Sequence, residues 1–175
     1  MIIIINGAIG AGKTSVSWAL LEAFEQAAML DGDYIAAVAP FSIFEPSDLE
    51  YAYRSIAELA TFHFQNGYRT IIINYVFETV EELDKMKSLL ALIDLPIHPF
   101  LLTCTAAERE RRIRHRATPH SDLEWEIPRS NDLHQILLKS ADQGDLGEIV
   151  GTTSRSLEEV VAQIMDQINN HSDGN

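Results

Sequence analysis

Residues 1–14 read MIIIINGAIGAGKT, and this stretch sets the kind of fold that the chain can adopt. The apolar run Ile2–Asn6 predicts a buried parallel strand, because strands of parallel sheets are covered on both faces. From Thr14 to Ala28 apolar residues return at helical spacing, which predicts a helix. The chain therefore begins with a strand, a glycine-rich turn and a helix.

The turn matches the P-loop pattern G-x-x-x-x-G-K-[ST]. Its glycines let backbone N–H groups turn toward phosphate oxygens, and the following helix adds the positive end of its dipole. Lys13 would reach the β- and γ-phosphates, and the Thr14 hydroxyl would bind Mg²⁺. We expect nucleotide to contact Gly7, Ala8, Ile9, Gly10, Ala11, Gly12, Lys13, Thr14 and Ser15.

Strand and helix patterns alternate along the rest of the chain. Capping boxes, in which Ser or Thr is followed three residues later by Glu, predict helix starts at Ser47, Thr79, Thr105 and Ser156. Between the predicted helices lie apolar runs at Ala28–Leu30, Thr70–Phe77, Ile97–Thr103 and Gly147–Gly151. Such alternation predicts an α/β fold, a parallel sheet with helices on both faces, over a single domain of residues 1–170. The tail 171–175 is expected to be disordered.

Composition limits the partners and the location. The formal net charge of −13 repels nucleic acid and anionic membranes, so neither is expected as a partner. No apolar run approaches the length of a membrane span, Met1–Ile5 lacks the basic flank of a signal peptide, and Cys104 is the single cysteine. These features predict a cytoplasmic protein. Oligomeric state stays open between monomer and homodimer.

Positive charge is concentrated in one predicted helix. Five of the thirteen basic residues are Arg109, Arg111, Arg112, Arg114 and Arg116. Arg112 and Arg116 lie one turn apart on the same helical face and suit phosphate binding, or else belong to a charged helix face in which Glu108 pairs with Arg112. For the other three we expect a charged, solvated face that pairs with neighbouring glutamates.

Taken together, these motifs resemble the small P-loop kinases, typified by shikimate kinase, gluconate kinase and the chloramphenicol phosphotransferase type. The resemblance rests on the P-loop at Gly7, the Asp31-Gly32-Asp33 pair after the second strand, and Arg112-Ile113-x-x-Arg116. It implies a P-loop NTPase fold with a five-stranded parallel sheet and a small mobile lid. It also implies transfer of the γ-phosphoryl group from MgATP to a small-molecule acceptor.

The resemblance also implies roles for individual residues. Asp31 would hold Mg²⁺ together with Thr14, and Asp33 would meet the acceptor hydroxyl. Arg112 would lie near the adenine and Arg116 would enter the lid toward the phosphates. Backbone groups around Thr153 would approach the adenine. The catalytic residues would then be Lys13, Asp33 and Arg116, with ATP and Mg²⁺ as cofactors.

Some positions keep two interpretations open. Asn74 stands where many P-loop enzymes have an acidic metal ligand, and it could instead contact the acceptor or a water. Arg54 could bind an anionic acceptor, yet Glu50 and Glu58 flank it at ion-pair spacing. Asp-Gly-Asp is also typical of a surface turn. The irregular stretch 117–128 is predicted to be a lid, or else a plain surface loop.

Two other functions remain possible at this stage. One is a nucleoside monophosphate kinase, which usually needs additional arginines on the acceptor side. The other is a switch protein that binds and slowly hydrolyses ATP without transfer. The N-K-x-D segment that reads guanine in GTPase switches is absent from the sequence.

Overall fold

The computed structural model describes residues 1–40 and 42–172, which form twelve helices and strands. They are β1 Ile2–Gly7, α1 Lys13–Ala23, β2 Ala27–Asp31, α2 Gly32–Ile35, α3 Pro46–Gln65, β3 Thr70–Asn74, α4 Val80–Leu90, β4 Ile97–Thr103, α5 Ala106–Arg116, α6 Leu123–Gln143, β5 Glu148–Gly151 and α7 Leu157–Ser172. None of these helices has the length and apolar character needed to cross a membrane.

The five strands form one parallel sheet in the order β2-β3-β1-β4-β5, which confirms the predicted fold class. β1 is central and pairs with β3 on one side and β4 on the other. Its residues Ile2–Ile5 are completely buried. Because all strands run the same way, their carboxyl ends meet at one edge, where ligands bind in such sheets.

Alternate residues of β1 face two separate apolar layers. Ile2 and Ile4 pack in one layer with residues of α3, α4 and α6. Ile3 and Ile5 pack in the other with residues of α1 and α7. The sheet is therefore covered by helices on both faces, and this burial accounts for the continuous apolar run at the start of the chain.

The segment predicted as an irregular lid is partly helical. The Asp122 side chain accepts a hydrogen bond from the Trp125 N–H and caps α6, which begins at Leu123. Pro128 lies inside this helix, so reading it as part of a loop was wrong. Only residues 117–122 join α5 to α6 without helical structure.

The predicted element ends also differ in places. Two capping boxes are confirmed, because Glu82 N–H donates to Thr79 and Glu159 N–H donates to Ser156. The box at Ser47 is wrong, since α3 begins at Pro46. α7 continues to Ser172, into the tail that was expected to be disordered, while 173–175 lie outside the described residues.

The third strand is shorter than predicted, and a fully buried side chain holds the residues that follow it. β3 ends at Asn74 rather than Phe77. The Asn6 amide nitrogen donates to Phe77 O at 2.8 Å, and the Asn6 amide oxygen accepts from Gly7 N at 2.8 Å and Phe77 N at 3.2 Å. Asn6 thereby joins the start of the P-loop to the chain after β3.

Replacing Asn6 with alanine should destabilise the fold strongly. Asn6→Ala leaves buried backbone groups of Gly7 and Phe77 without partners, at a cost of about 1–3 kcal/mol for each group. We expect the free energy of unfolding, measured by urea denaturation, to fall by about 2–4 kcal/mol. Asn169→Ala, at an exposed position of α7, is the matched control and should stay within about 0.5 kcal/mol. Equal losses in both variants would contradict this role for Asn6.

Candidate active site

The P-loop adopts a conformation that requires glycine, most clearly at Gly10 and Gly12. Gly10 and Gly12 have φ angles of 81° and 106°, which side-chain-bearing residues rarely adopt. A Cβ atom at Gly10 would also lie 2.8 Å from the Arg109 carbonyl oxygen. The Lys13 ammonium donates to Gly7 O at 2.9 Å across the loop. Burial lowers the pKa of Lys13, and the nearby Asp33 carboxylate opposes that shift.

The residues expected to hold a metal ion lie together at the carboxyl ends of β2 and β3. The Asn74 amide nitrogen donates to Asp31 Oδ2 at 2.7 Å and to Thr14 Oγ1 at 3.2 Å. The Asn74 amide oxygen is buried and has no hydrogen-bond partner among the described residues. The Asn74 amide nitrogen thus holds the Thr14 hydroxyl and the Asp31 carboxylate close together, and these two oxygen groups suit a magnesium site, since Mg²⁺ prefers oxygen ligands.

No cluster of three or more acidic, histidine or cysteine side chains could hold a metal within residues 1–40 and 42–172. This donor set fits Mg²⁺ nonetheless. That ion usually keeps several waters and binds through one or two carboxylates together with substrate phosphates.

Asp33 follows Asp31 in the short helix α2, which the sequence did not predict. The Asp31 carboxylate accepts a hydrogen bond from Asp33 N at 3.1 Å and so caps α2. Burial raises the pKa of Asp33, while the Lys13 charge opposes that shift. A Cβ atom at Gly32 would lie 2.2 Å from the Tyr75 ring, so glycine permits close packing here. Asp33 itself is nonetheless exposed, so the segment is one short helical turn at the surface, and the functional role of Asp31 and Asp33 stays a prediction.

Two neighbouring cavities open at this edge of the sheet. One, of about 320 Å³, lies over the P-loop and α5. The other, of about 640 Å³, lies between the P-loop, α3, α4 and α6. Both cavities are lined by Ile9, Lys13, Asp33 and Arg116, so they meet at an acid and two cations. The remaining lining of the larger cavity is Ile43, Phe44, Leu49, Tyr53, Tyr75, Val76, Glu78, Glu82, Asp122, Trp125, Glu126, Arg129 and Leu133.

The two arginines selected from the sequence occupy different environments. Arg112 Nη1 donates to Ala11 O at 3.1 Å, and Arg112 Nη2 donates to Thr152 O at 2.9 Å. Arg112 thus joins the P-loop to the residue after β5. Arg116 Nη2 donates to Glu126 at 3.0 Å, and its side chain is 56% exposed. Among the described residues, Arg116 therefore makes one ion pair through the end of its side chain, and it lines both the 320 Å³ and the 640 Å³ cavity.

Arg109 was expected on a charged, solvated helix face, and this was wrong. It is only 2% exposed. Its guanidinium donates to Ser130 Oγ at 3.0 Å, to Asn131 Oδ1 at 2.8 Å and to Cys104 O. The Ser130 hydroxyl in turn donates to Ile9 O at 2.7 Å. Arg109 therefore ties β4 and α6 to the P-loop through neutral acceptors, a role that no helical charge pattern reveals.

Arg54 does not line the larger cavity. Its side chain is 70% exposed and its Nε donates to Glu50 at 2.6 Å, as the surface ion-pair interpretation predicted. The Thr153 hydroxyl accepts from Thr105 N at 2.9 Å, and the expected approach of its backbone to the adenine stays a prediction. A third cavity, of about 250 Å³, is lined instead by Thr152, Arg112 and Arg155. The sequence signal for Thr152 and Arg155 was their position directly after the last strand.

The fold and the loop define a class of protein. A parallel sheet of this strand order, with the P-loop after its central strand and an arginine-bearing helix after β4, is the fold of the small P-loop kinases. The chain belongs to the AAA domain family (AAA_33), whose profile matches residues 2–131. The sequence has no detectable similarity to a curated protein.

Solved structures with the same fold include three with informative names. A tunicamycin resistance protein from Deinococcus radiodurans has a TM-score of 0.66 and 18% identity, covering 95% of this chain and 94% of that one. A gluconokinase from Sinorhizobium meliloti has a TM-score of 0.65 and 15% identity, covering 98% and 93%. A shikimate kinase from Bacteroides thetaiotaomicron has a TM-score of 0.67 and 14% identity, covering 97% and 98%. Identities this low establish the fold alone.

Removing the buried guanidinium should destabilise the protein. Arg109→Met keeps an apolar stem but leaves Cys104 O and the Ser130 and Asn131 side chains without their donor. We expect the free energy of unfolding to fall by about 2–4 kcal/mol. Arg111→Met removes the same charge from an α5 position whose side chain is 65% exposed, and should leave the denaturation midpoint nearly unchanged. A midpoint that falls equally in both variants would show that the lost charge matters rather than the buried contacts.

Proposed function

We propose that this protein transfers the γ-phosphoryl group of ATP to a hydroxyl group of a small molecule. The observation that carries this proposal is the meeting of two cavities at Lys13, Asp33 and Arg116. Transfer between two bound molecules needs a nucleotide compartment, an acceptor compartment and charged groups where they join. A switch protein that only hydrolyses ATP has no need of the larger cavity.

The proposed step needs little covalent chemistry from the protein. The bond between the γ-phosphorus and its bridging oxygen on ADP breaks, and a bond forms to the acceptor oxygen. The hydroxyl proton passes to the Asp33 carboxylate and then to solvent. Lys13 and the P-loop amides would hold the phosphates, while Arg116 would stabilise charge on the transferred group. In such a loose transition state, positioning matters more than a strong base.

Thr14, Asp31 and Asn74 would hold Mg²⁺ at the carboxyl ends of the strands. Bound there, the ion would neutralise charge on the β- and γ-phosphates. The hydrogen bonds from the Asn74 amide nitrogen to Thr14 and Asp31 support this assignment, because they keep the two oxygen ligands together. On the other side of the loop, the cavity lined by Arg112, Thr152 and Arg155 is our proposed adenine site.

The larger cavity argues against a nucleoside monophosphate as acceptor. Beyond the shared residues, Arg129 is the one basic side chain in the described lining, and it already pairs with Glu78. A phosphate would need free cationic groups, whereas Glu78, Glu82, Asp122 and Glu126 would repel it.

The decisive experiment measures ADP release with and without a library of small hydroxyl compounds. Turnover that depends on an acceptor would support the kinase, and slow hydrolysis that no compound stimulates would favour the switch. Transfer should be confirmed by finding the phosphate on the acceptor.

Lys13→Ala should remove most of the function. Charge-assisted hydrogen bonds contribute roughly 1.5–3 kcal/mol each, so losing one should weaken MgATP binding by about tenfold or more. Turnover should nearly vanish. Lys139→Ala, at an exposed position of α6, serves as the control and should bind and turn over normally. Wild-type turnover in a folded Lys13→Ala protein would refute this role of the P-loop.

The two α5 arginines should fail in different ways. Arg116→Ala should lower kcat more than it raises the Kd for ATP, because we assign Arg116 to charge that develops in the transition state. Arg112→Ala should mainly raise that Kd. Arg114→Ala is the control, since its side chain is 58% exposed and pairs with Glu110. If all three variants keep the wild-type values, Arg112 and Arg116 have no part in binding ATP or in transfer.

The lid would be the short joint 117–122 together with the first turn of α6. Arg116 pairs with Glu126 in that turn, so exchanging this carboxylate for phosphate would couple nucleotide binding to movement of α6. Slower hydrogen exchange across 117–128 with a non-hydrolysable ATP analogue is the expected result.

A further inference from the structure

Aromatic rings form much of the wall of the larger cavity. Tyr53 and Tyr75 lie inside it with ring centroids 6.0 Å apart. Phe44 and Trp125 approach from different segments, before α3 and in the first turn of α6, and they are 73% and 47% exposed. Large exposed rings at the rim of a pocket are typical of sites that a ligand covers. The cavity therefore suits a flat, apolar body.

The charge of this cavity is negative away from the P-loop. Glu78 is paired with Arg129, and Glu126 with Arg116. Glu82 differs, because no lysine or arginine of the described residues forms an ion pair with it. Its Oε2 accepts a hydrogen bond from Glu78 N at 2.6 Å, and its other polar neighbours, Thr79 and Tyr53, are uncharged. Burial raises the pKa of Glu82, which is the cost of placing a carboxylate there without a cation.

A second polar group lies at the same place. The Tyr53 hydroxyl is buried beside the Glu82 carboxylate, the one group among the described residues to which it can donate. Burial and then the Glu82 carboxylate raise the pKa of Tyr53, so the hydroxyl stays protonated. Both groups line the larger cavity, so a cation bound at the Glu82 carboxylate would lie beside the Tyr53 hydroxyl.

We propose that the phosphoryl acceptor carries an aromatic ring and a positively charged amino group. The amino group binds at Glu82 and Tyr53, while the acceptor hydroxyl faces Asp33 at the junction with the P-loop cavity. The aromatic walls favour both the ring and the cation. That this compound is the phosphoryl acceptor rests on the kinase activity proposed above. Its binding in the cavity does not depend on that activity.

The test uses three compounds with one phenyl ring and one primary hydroxyl. They are phenylalaninol, hydrocinnamyl alcohol, which lacks the amine, and the hydroxy acid in which a carboxylate replaces the amine. Binding is measured by calorimetry at neutral pH, with a non-hydrolysable ATP analogue and Mg²⁺ present. We expect the amine to bind about tenfold more tightly than the neutral alcohol, and the acid more weakly than either.

Variants of Glu82 and Tyr53 then test which side chains cause the preference for the amine over the neutral alcohol. Glu82→Gln can still accept from Glu78 N, so the start of α4 should survive, but the tenfold preference for the amine should fall to about twofold or less. Glu81→Gln makes the same charge change at the neighbouring exposed position and should keep the preference. Tyr53→Phe keeps the ring and should weaken binding of the amine more than binding of the neutral alcohol.

Three results would overturn the proposal: an acid that binds as tightly as the amine, no saturable binding of any compound at millimolar concentration, or a preference that persists in Glu82→Gln. The proposed kinase is tested separately, because binding is measured without transfer. If the amine binds in the expected order but ATP yields no phosphorylated product, the kinase fails while the assignment of the cavity stands.

Discussion

The buried amide of Asn6 is the interaction on which both compartments of the site depend. It satisfies three backbone groups at once, at Gly7 and Phe77, where water cannot reach them. On one side of it begins the P-loop. On the other run Tyr75, Val76 and Glu78, which line the larger cavity. A single side chain therefore sets the separation between the proposed nucleotide and acceptor compartments, and that separation must be fixed for two molecules to react.

Basic side chains are concentrated at the carboxyl-terminal edge of the sheet, where the cavities lie. The chain has a net charge of −13, yet Lys13, Arg112 and Arg116 converge on the cavities beside the P-loop. Arg112 is held by backbone carbonyl groups as well as by Glu108, and Arg109 by neutral acceptors alone. Glu108 pairs with Arg112 and Glu126 with Arg116, so the local positive field at this edge depends mainly on Lys13 and on Arg109, for which no ion pair forms within the described residues.

Sequence patterns predicted what depends on local spacing. The alternation of strands and helices, the P-loop and the proximity of Thr14, Asp31 and Asn74 all follow from periodicity and from the common edge where parallel strands end. The sequence patterns failed where contacts between distant parts of the chain determine burial or secondary structure. By sequence, Arg109 resembles its solvated neighbours, yet α6 buries it. Pro128 is typical of a helix end, yet α6 begins before it, at the cap formed by Asp122.

The larger cavity could not be predicted from the sequence, because its residues Tyr53, Glu82 and Trp125 lie on three different helices. Nothing in their spacing along the chain relates them. A local pattern also failed at Thr105, where a capping box was predicted. The Thr105 N–H donates to the distant Thr153 hydroxyl instead of to Glu108.

The contact between Gly32 and the Tyr75 ring has a consequence for evolution and for redesign. The ring fills the space where a Cβ atom would stand, so Asp33 and this wall of the cavity cannot be altered independently. Within the described residues, the side of the cavity formed by α4 and α6 shows no such close packing against α2. The shape of the cavity can therefore change more freely on the α4 and α6 side, while the glycine and tyrosine pair changes only as a unit.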